Sequence, residues 1–289
     1  MKIFNLDGDE WNEPRDRAAI TAADPVLSSS GVAMRLRGRW HKTNAEAGET
    51  EADLGATAEK TDADLNREVV RIATRRPLRR LWIGDSHATF LAGTRVRPFD
   101  VSSEHEGVVW LGPRLMYSIA RDGFPDPLTP ELHGVSLDLA PTPIVLVFGE
   151  IDCRVHLVER LAAGGSLDFV SRYVARAAEL RARVGASHIV LLGPVPPSDQ
   201  GESNPEFPKN GTLAERIAVA RLLERTLSEA TASLGDRRVA VAPITSLLAG
   251  SETGELAGRL TDDGTHVNPL GADLIRKQLD SAQPARRPR

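Results

Sequence analysis

The regular alternation of short apolar runs with longer amphipathic segments, which begins after Pro77, is the feature that most restricts the fold of this chain. Five apolar runs occupy residues 78–83, 108–111, 144–148, 188–192 and 239–241. Short apolar runs separated by helical segments are typical of strands joined by crossover helices, and such connections produce parallel sheets. The pattern therefore predicts an α/β fold with three layers, in which helices flank a five-stranded parallel sheet.

Helical periodicity divides the chain into unequal parts. Apolar residues recur at helical spacing in segments 62–76, 115–120, 167–184, 213–234 and 269–279. Residues 1–62 sustain neither a strand period nor a helix period, and the last residues are short, polar and basic. We therefore predict a partly irregular N-terminal arm or cap at 1–62, one folded domain at 63–282 and a disordered tail at 283–289.

Composition excludes several classes of function. The chain has 36 basic and 40 acidic residues and a net charge of -4, so it lacks the basic excess of a protein that binds nucleic acid. Its single cysteine, Cys153, excludes an internal disulfide framework and a thiolate zinc site. No apolar run has the length of a signal peptide core or a membrane span. We therefore expect a cytoplasmic protein that does not insert into membranes.

Several strands of the predicted sheet end in residues that suit a functional site. Ser86 follows the first apolar run, Gly112 the second, residues 149–152 the third and Gly193 the fourth. Open parallel sheets bind their ligands outside the carboxyl ends of the strands. The sequence therefore predicts that these residues converge on one edge of the sheet.

Two short motifs supply the groups that nucleophilic catalysis requires. Gly-Asp-Ser-His occupies 84–87, and Asp-Gly-Thr-His follows at 263–266. A hydroxyl is a poor nucleophile near neutral pH, so it needs a base within hydrogen-bond reach and a third group that orients the base. The two motifs together offer a serine, an imidazole and a carboxylate. Alone, Ser86 also suits a helix N-cap, and His266 an ordinary structural histidine.

The same residues resemble the SGNH hydrolase superfamily, the GDSL-type esterases and lipases, in a Gly-Asp-Ser-His variant. The likeness covers residues 78–280 and is most specific in the first and last motifs. It implies a flavodoxin-like α/β/α fold and a small-molecule ester as substrate. It also implies that Ser86 attacks an ester carbonyl, that His266 takes its proton and that Asp263 orients His266.

The resemblance also implies an oxyanion hole, and here the chain departs from the family. The backbone N–H groups of Ser86 and Gly112 are the first two predicted donors, although Gly112 also suits a plain loop glycine before proline. Ile151 stands where the family pattern has an asparagine that donates to the oxyanion. Either two backbone donors suffice, or a polar group such as Arg154 replaces the amide.

Four further polar residues are candidates for substrate binding: Asp85, His87, Glu150 and Asp152. Each has another interpretation. Asp85 is suited to bracing the turn through backbone hydrogen bonds, and Glu150, Asp152 and Arg154 are suited to an ion-pair cluster that fixes the loop. His87 is an alternative base, although a neighbour of the nucleophile on a tight turn usually points away from it.

No cofactor or metal is predicted. The seven histidines are scattered, with no His-x-x-x-His pair and no cysteine at ligand spacing. The chain also lacks a Walker-type phosphate loop and a Gly-x-Gly-x-x-Gly motif. The chemistry is therefore expected to use side chains alone.

Two long loops at the predicted site bear on specificity. Residues 193–211 exceed the usual loop length and suggest a substrate-facing lid, and residues 123–134 suggest a second wall. Both loops are polar and rich in proline, and aromatic residues make up 4% of the chain. We therefore expect a small acyl group, such as acetyl, on a polar scaffold such as a carbohydrate or natural product.

Three functions are consistent with these residues. The first is a serine ester hydrolase that forms an acyl-serine intermediate. The second is an O-acyltransferase that uses the same three residues and passes the acyl group to an alcohol. The third is a carbohydrate-binding protein on a degenerate hydrolase fold, which Ile151 suggests.

Overall fold

A computed structural model describes residues 33–36, 39–42, 78–91, 106–125, 142–201, 205 and 207–282. The predicted helix at 62–76 and the predicted tail at 283–289 lie outside these residues, as does most of the predicted loop at 123–134. The domain boundaries drawn from the sequence therefore stay predictions.

Two short strands lie within the region predicted to be an irregular arm. Strands β1 (Ala33–Leu36) and β2 (Arg39–Lys42) pair antiparallel, with Ala33 opposite Lys42 and Leu36 opposite Arg39. The sequence analysis assigned no strand here, because four residues are too few to establish a period.

The main sheet contains the five strands that the apolar runs predict. They are β3 (Arg80–Gly84), β4 (Glu106–Trp110), β5 (Ile144–Val147), β6 (Ile189–Leu192) and β7 (Val239–Ala242). Every neighbouring pair is parallel, and the order across the sheet is β4-β3-β5-β6-β7. This is the flavodoxin-like order, and it places the topological switch point between β3 and β5. The prediction of a flavodoxin-like α/β fold is confirmed.

Seven α-helices occupy the described residues of the main domain. They are α1 (Ser86–Leu91), α2 (Met116–Asp122), α3 (Val158–Ala162), α4 (Phe169–Arg183), α5 (Leu213–Leu234), α6 (Thr245–Leu248) and α7 (Pro269–Ala282). A π-helical turn (Asp152–Leu157) leads into α3, and a 3-10 turn (Gly258–Leu260) precedes α7. Within these described ranges no helix is both long and apolar enough to span a membrane.

The sheet is buried on both faces because successive strand residues face opposite helical layers. Leu81 and Ile83 of β3 belong to one core, with residues of α2, α4 and α5, whereas Trp82 belongs to the other, with residues of α1, α6 and α7. The period of two that strands impose on side-chain direction explains this division. Because neither face of the sheet meets water, the strands appear in the sequence as continuous apolar runs.

The amino ends of the strands are fixed by a buried guanidinium. Arg80 is fully buried and pairs with Glu106 of β4 and with Asp280 of α7. The indole Nε1 of Trp82 donates to the same Glu106 carboxylate at 3.0 Å. One cation therefore links two strands and the last helix at the edge of the sheet opposite the predicted site.

Candidate active site

Ser86 lies where β3 ends and α1 begins, at the carboxyl edge of the sheet. Gly84 is required just before it, because a Cβ at this position would overlap the carbonyl oxygen of Val147 in β5. The close approach of the two strands brings Ser86 beside the switch point, where this class of fold places its ligands. As the first residue of α1, Ser86 has a backbone N–H without a partner inside the helix.

Asp85 supports the turn that presents Ser86. Its Oδ1 accepts a hydrogen bond of 2.9 Å from the backbone N–H of His87, and its side chain is fully buried. Burial raises the pKa of Asp85 well above its usual range, because an ionised carboxylate loses its hydration there. These contacts agree with the bracing role that the turn pattern suggests.

Asp263 and His266, the predicted carboxylate and base, lie on a turn before α7. Gly264 donates its backbone N–H to Thr261 Oγ1 at 2.8 Å, and Asp263 Oδ1 accepts from the backbone N–H groups of Thr265 and His266 at 2.8 and 2.7 Å. Burial would raise the pKa of Asp263. The hydrogen bond and charge of His266, together with the two backbone donors, hold that pKa well below its usual range instead. Asp263 is therefore an anion near neutral pH.

The structure brings the hydroxyl, the imidazole and the carboxylate into one hydrogen-bonded chain. Asp263 Oδ2 lies 2.7 Å from His266 Nδ1, and His266 Nε2 lies 2.9 Å from Ser86 Oγ. An ionised carboxylate only accepts hydrogen bonds, so Nδ1 carries the ring proton and Nε2 offers its lone pair to the serine hydroxyl. This is the tautomer that removes a proton from a nucleophile.

Two rings of α1 lie against the imidazole of His266. The ring of Phe90 stacks on it with a centroid separation of 4.2 Å and an interplanar angle of 13°. The ring of His87 lies 4.6 Å away at 41°. His87 Nε2 is 3.3 Å from Glu150 Oε2. His87 is not part of the hydrogen-bonded series that leads from Asp263 through His266 to Ser86. Its position beside the base, with the ring turned to Glu150, favours the assignment of His266 as the base.

Glu150 and Arg154 form the ion pair that the sequence analysis raised as an alternative. Arg154 Nε lies 2.9 Å from Glu150 Oε1, and Arg154 donates from Nη1 to the carbonyl oxygen of Phe207 at 2.9 Å. Burial would raise the pKa of Glu150, but the charge of Arg154 and the hydrogen bond from His87 outweigh it and lower this pKa to about 2. The guanidinium is thus engaged by the protein, and its oxyanion role stays a prediction.

Asp152 connects the segment that follows β5 to the helix α2 that follows β4. Its carboxylate accepts hydrogen bonds from the first two backbone N–H groups of α2, those of Met116 at 2.7 Å and Tyr117 at 3.1 Å. Desolvation by burial raises the pKa of Asp152 to about 6, although these donors act in the opposite direction. Gly112 precedes α2 and has a φ of 77°. Asp152 therefore fixes the helix that follows the predicted oxyanion donor Gly112.

The long loop after β6 packs against the acid–base turn. A Cβ at Gly264 would overlap the carbonyl oxygen of Gln200, and a Cβ at Gly201 would overlap that of Asp263. Lys209 Nζ also donates to the carbonyl oxygen of Gln200, at 2.8 Å. Asp199 pairs with the buried Arg216 of α5. The described part of the loop thus braces Asp263, which differs from the substrate-facing lid that its length suggests.

The four residues predicted to contact substrate are all buried. Exposed fractions are 0% for Asp85, 2% for His87, 7% for Glu150 and 1% for Asp152. Their described contacts are with the backbone, with one another, with Arg154 and with the ring of His266, so burial favours support of the site over direct contact with a ligand. Among the described residues, no group of three or more histidine, cysteine or acidic side chains is placed to hold a metal ion.

Sequence reasoning did not identify two features of this site. Phe90 stands four residues after Ser86, a spacing that places both on one face of a helix, but the sequence analysis predicted no helix at 86–91. The contact between Gly201 and Asp263 joins distant segments, and two glycines alone do not indicate it. Only the folded backbone shows that these loops touch.

Comparisons with known proteins support the fold. No protein-family model matches this chain, and no curated protein matches it. Among solved structures, a candidate acylhydrolase from Bacteroides fragilis is 16% identical with a TM-score of 0.50, and the match covers 78% of this chain and 97% of that one. A GDSL-like lipase from Bacteroides thetaiotaomicron is 14% identical with a TM-score of 0.46, over 75% and 97% of the two chains.

A third structure, a candidate SGNH hydrolase from Slackia heliotrinireducens, is 19% identical with a TM-score of 0.45, over 71% of this chain and 98% of that one. At these identities a likeness concerns architecture alone, and the Bacteroides fragilis structure is the one of the three whose TM-score reaches 0.50. With its strand order and flanking helices, the described domain therefore has a three-layer α/β/α fold like that of the Bacteroides fragilis structure.

Proposed function

We propose that this protein is a cofactor-independent serine ester hydrolase of the SGNH type. The hydrogen-bonded chain from Ser86 through His266 to Asp263 is the observation that supports this function, with contacts of 2.9 and 2.7 Å. Both distances lie within hydrogen-bond reach, as a nucleophile and its base require. The fold supports the same assignment, because it brings these groups to the edge where ligands bind.

Acylation begins when Ser86 Oγ attacks the ester carbonyl carbon and His266 Nε2 takes the hydroxyl proton. The resulting tetrahedral intermediate collapses as the bond to the alcohol oxygen breaks, and His266 returns the proton to the departing alcohol. Asp263 stays ionised and stabilises the imidazolium in between. In the second half, water attacks the acyl-serine, His266 takes its proton, and the acid leaves as Ser86 recovers a hydrogen.

Negative charge develops on the carbonyl oxygen in both halves and requires donors at the same edge. The first-turn N–H of Ser86 and the N–H of Gly112 are the proposed donors, since the β3 and β4 strands that precede them are adjacent. Each donor of this kind lowers the barrier by about 3 to 4 kcal/mol in comparable enzymes. Ile151 is buried and has no donor in its side chain, so the hole relies on backbone groups unless Arg154 contributes.

The proposed substrate is a small acyl ester, such as an acetyl ester, of a polar scaffold. The loop that braces Asp263 carries several polar side chains, among them Ser198, Asp199, Gln200 and Lys209. A long acyl chain requires an extended apolar surface, and aromatic residues make up only 4% of the chain.

Labelling with a fluorophosphonate tests the function. Wild-type protein should be labelled on Ser86, Ser86→Ala should not be labelled, and His266→Ala should be labelled far more slowly. Asp263→Asn should fold normally and react slower by about 10³- to 10⁴-fold, because the imidazole loses the anion that selects its tautomer. Folded wild-type protein that resists labelling would instead indicate a binding protein.

A panel of acetyl, butyryl and octanoyl esters tests the substrate. Acetyl esters should give the highest kcat/KM, and an added alcohol should not increase consumption of the ester. Formation of a new ester with that alcohol, at the expense of the free acid, would show acyl transfer in place of hydrolysis. A preference for octanoyl esters would contradict the proposed small acyl group.

A further inference from the structure

The proposed reaction assigns no role to one contact of the predicted base, the stacking of Phe90 on the ring of His266. The two rings are nearly parallel, at 13°, with centroids 4.2 Å apart. Phe90 belongs to α1, the six-residue helix that begins with Ser86. Because residues four apart lie on the same face of a helix, one helix carries both the nucleophile and the ring that contacts its base.

The two hydrogen bonds of the His266 imidazole only weakly restrain one motion, the tilting of the ring out of its own plane. The bonds at Nδ1 and Nε2 lie in the plane of the ring, so they resist movement within that plane. They resist tilting out of the plane less, because a hydrogen bond tolerates some bending at small cost. A flat aromatic ring against the face opposes this tilt directly. Phe90 is therefore placed to restrain the motion that the polar contacts leave.

The same contact suits the charge that His266 acquires during the reaction. When Ser86 gives up its proton, the imidazole becomes a cation, and the face of an aromatic ring attracts a cation. The ring of Phe90 is only partly exposed, so water competes weakly for this face. The stacking therefore favours the protonated base at the step where it forms.

On the basis of the proposed function, we infer that Phe90 is a positioning residue that holds the imidazole of His266 in line with Ser86 Oγ. Because α1 carries both Ser86 and Phe90, a small shift of this helix moves the nucleophile and the restraint on the base together. The separation between Oγ and Nε2 is then preserved as the site adjusts to a substrate. His87 adds a second ring contact, and its bond to Glu150 fixes that ring in turn.

Single-turnover phosphonylation of Ser86 in the full chain tests whether Phe90 affects the rate at which Ser86 reacts. Phe90→Leu keeps apolar bulk but lacks the ring face, and Phe90→Tyr keeps the ring. The maximal rate should fall about three- to tenfold in Phe90→Leu with little change in half-saturating reagent, and Phe90→Tyr should stay near wild type. Should Phe90→Leu fail to fold, Phe90→Met provides the same comparison with a larger flexible side chain.

Phe124→Leu is the matched control, because Phe124 lies in the core on the opposite face of the sheet and contacts Phe148 instead of the base. It should lower the melting temperature and leave the labelling rate unchanged. A Phe90→Leu protein that behaves in this way, with loss of thermal stability alone, would overturn the positioning role.

Proton NMR of the imidazole supplies a readout that does not need activity. The Nδ1 proton shared with Asp263 should be resolved in wild type and broadened by faster exchange with water in Phe90→Leu, and Phe90→Tyr should restore it. His266→Ala identifies the resonance by its loss. Wild-type protein that cannot be labelled contradicts the proposed hydrolase, whereas an identical resonance in wild type and Phe90→Leu contradicts the role of Phe90.

Discussion

Glu150 keeps a negative charge inside the protein because Arg154 and His87 together outweigh the cost of removing its carboxylate from water. The side chain is 7% exposed, and its two oxygens face a guanidinium and an imidazole. A buried ion pair of this kind is costly to break, since the remaining partner loses its counterion without regaining water. Glu150 therefore ties the segment that follows β5 to α1, the helix that carries Ser86.

Acid titration of stability tests this residue. The pKa of Glu150 is lowered from 4.5 to about 2, so its contribution to folding is fully present above pH 4.5 and is lost as the pH falls towards 2. The free energy of unfolding of wild type, from denaturant titrations, should therefore approach that of Glu150→Gln across this window. A pKa shift of this size corresponds to a change of about 3 kcal/mol in the difference between the free energies of unfolding of wild type and Glu150→Gln.

Glu179→Gln is the control for Glu150→Gln, because Glu179 is exposed and pairs with Arg176 on the surface of α4. The difference between wild type and this variant should be small and nearly independent of pH. If Glu150→Gln gave the same flat difference, the buried ion pair would not contribute to stability in the way described.

Among single residues, sequence reasoning was most successful for the groups that a chemical reaction requires. Ser86, Asp263 and His266 were predicted to meet, and they lie in one hydrogen-bonded chain. Roles that depend on orientation were harder to predict. The sequence gives no sign that Asp152 accepts from the first turn of α2 or that Phe90 lies on the base, because both depend on how distant segments pack.

At the scale of elements, the loop after β6 and the turn before α7 act as one unit around Asp263. Gly201 and Gly264 have φ angles of 78° and 77°, and each faces a carbonyl oxygen of the other segment. Ser198 Oγ also donates to Glu255 Oε1 at 2.8 Å, which joins the loop after β6 to the segment between α6 and the 3-10 turn. The carboxylate of Asp263, which is proposed to orient His266, therefore depends on a loop that precedes it by about 60 residues in the chain.

Gly264→Ala tests this dependence. The added Cβ should displace the turn from Gln200, reduce the free energy of unfolding by at least about 2 kcal/mol and slow the labelling of Ser86 at least tenfold. Gly164→Ala is the matched control, since Gly164 has a φ of 78° and open space around its Cβ position. It should lose only the roughly 1 kcal/mol of left-handed strain, with normal labelling.

Equal effects of the two glycine variants on denaturation and labelling would show that left-handed strain alone matters at position 264. A larger loss of stability without any loss of rate in Gly264→Ala would show that the contact braces the fold but not Asp263. Only a loss of both supports the coupling described for this loop.

Element bounds were predictable where the sequence carries its own end signals. Both ends of α5 agree with the prediction, because Thr212 and Glu215 form a capping box and Gly235 ends the helix in the left-handed conformation. The five strands agree because burial on both faces makes them continuously apolar. The helix α1 and the π-helical turn were not among the predicted helices.

At the scale of the whole molecule, stability and chemistry occupy opposite edges of the sheet. Arg80 joins β3, β4 and α7 where the strands begin, and Ser86 lies where β3 ends. Cys153 is buried in the core on one face, and burial raises the pKa of its thiol well above the usual range. The proposed chemistry therefore relies neither on the Arg80 guanidinium at the far edge nor on the buried thiol of Cys153.

The variant Arg80→Leu tests whether the groups that stabilise one edge of the sheet are independent of the chemistry at the other edge. It should reduce the free energy of unfolding by about 3 to 5 kcal/mol, because Glu106 is left without its buried cation. Arg79→Leu is the control, since Arg79 pairs with the same Asp280 but is half exposed, and it should cost less than about 1 kcal/mol. Both folded variants should be labelled on Ser86 at the wild-type rate, measured below their melting temperatures.

A slower labelling rate in folded Arg80→Leu would show that the two edges are coupled through β3. Equal destabilisation by Arg79→Leu and Arg80→Leu would show that the burial of Arg80 adds nothing to the ion pair.

The sequence separation of 180 positions between Ser86 and His266 has a consequence for the protein while it is being made. A ribosome releases the serine long before the histidine, and an isolated serine hydroxyl has almost no reactivity. The nascent polypeptide therefore lacks the proposed pair of nucleophile and base through most of translation. The proposed esterase activity begins only when the turn that carries His266 docks on an already assembled sheet.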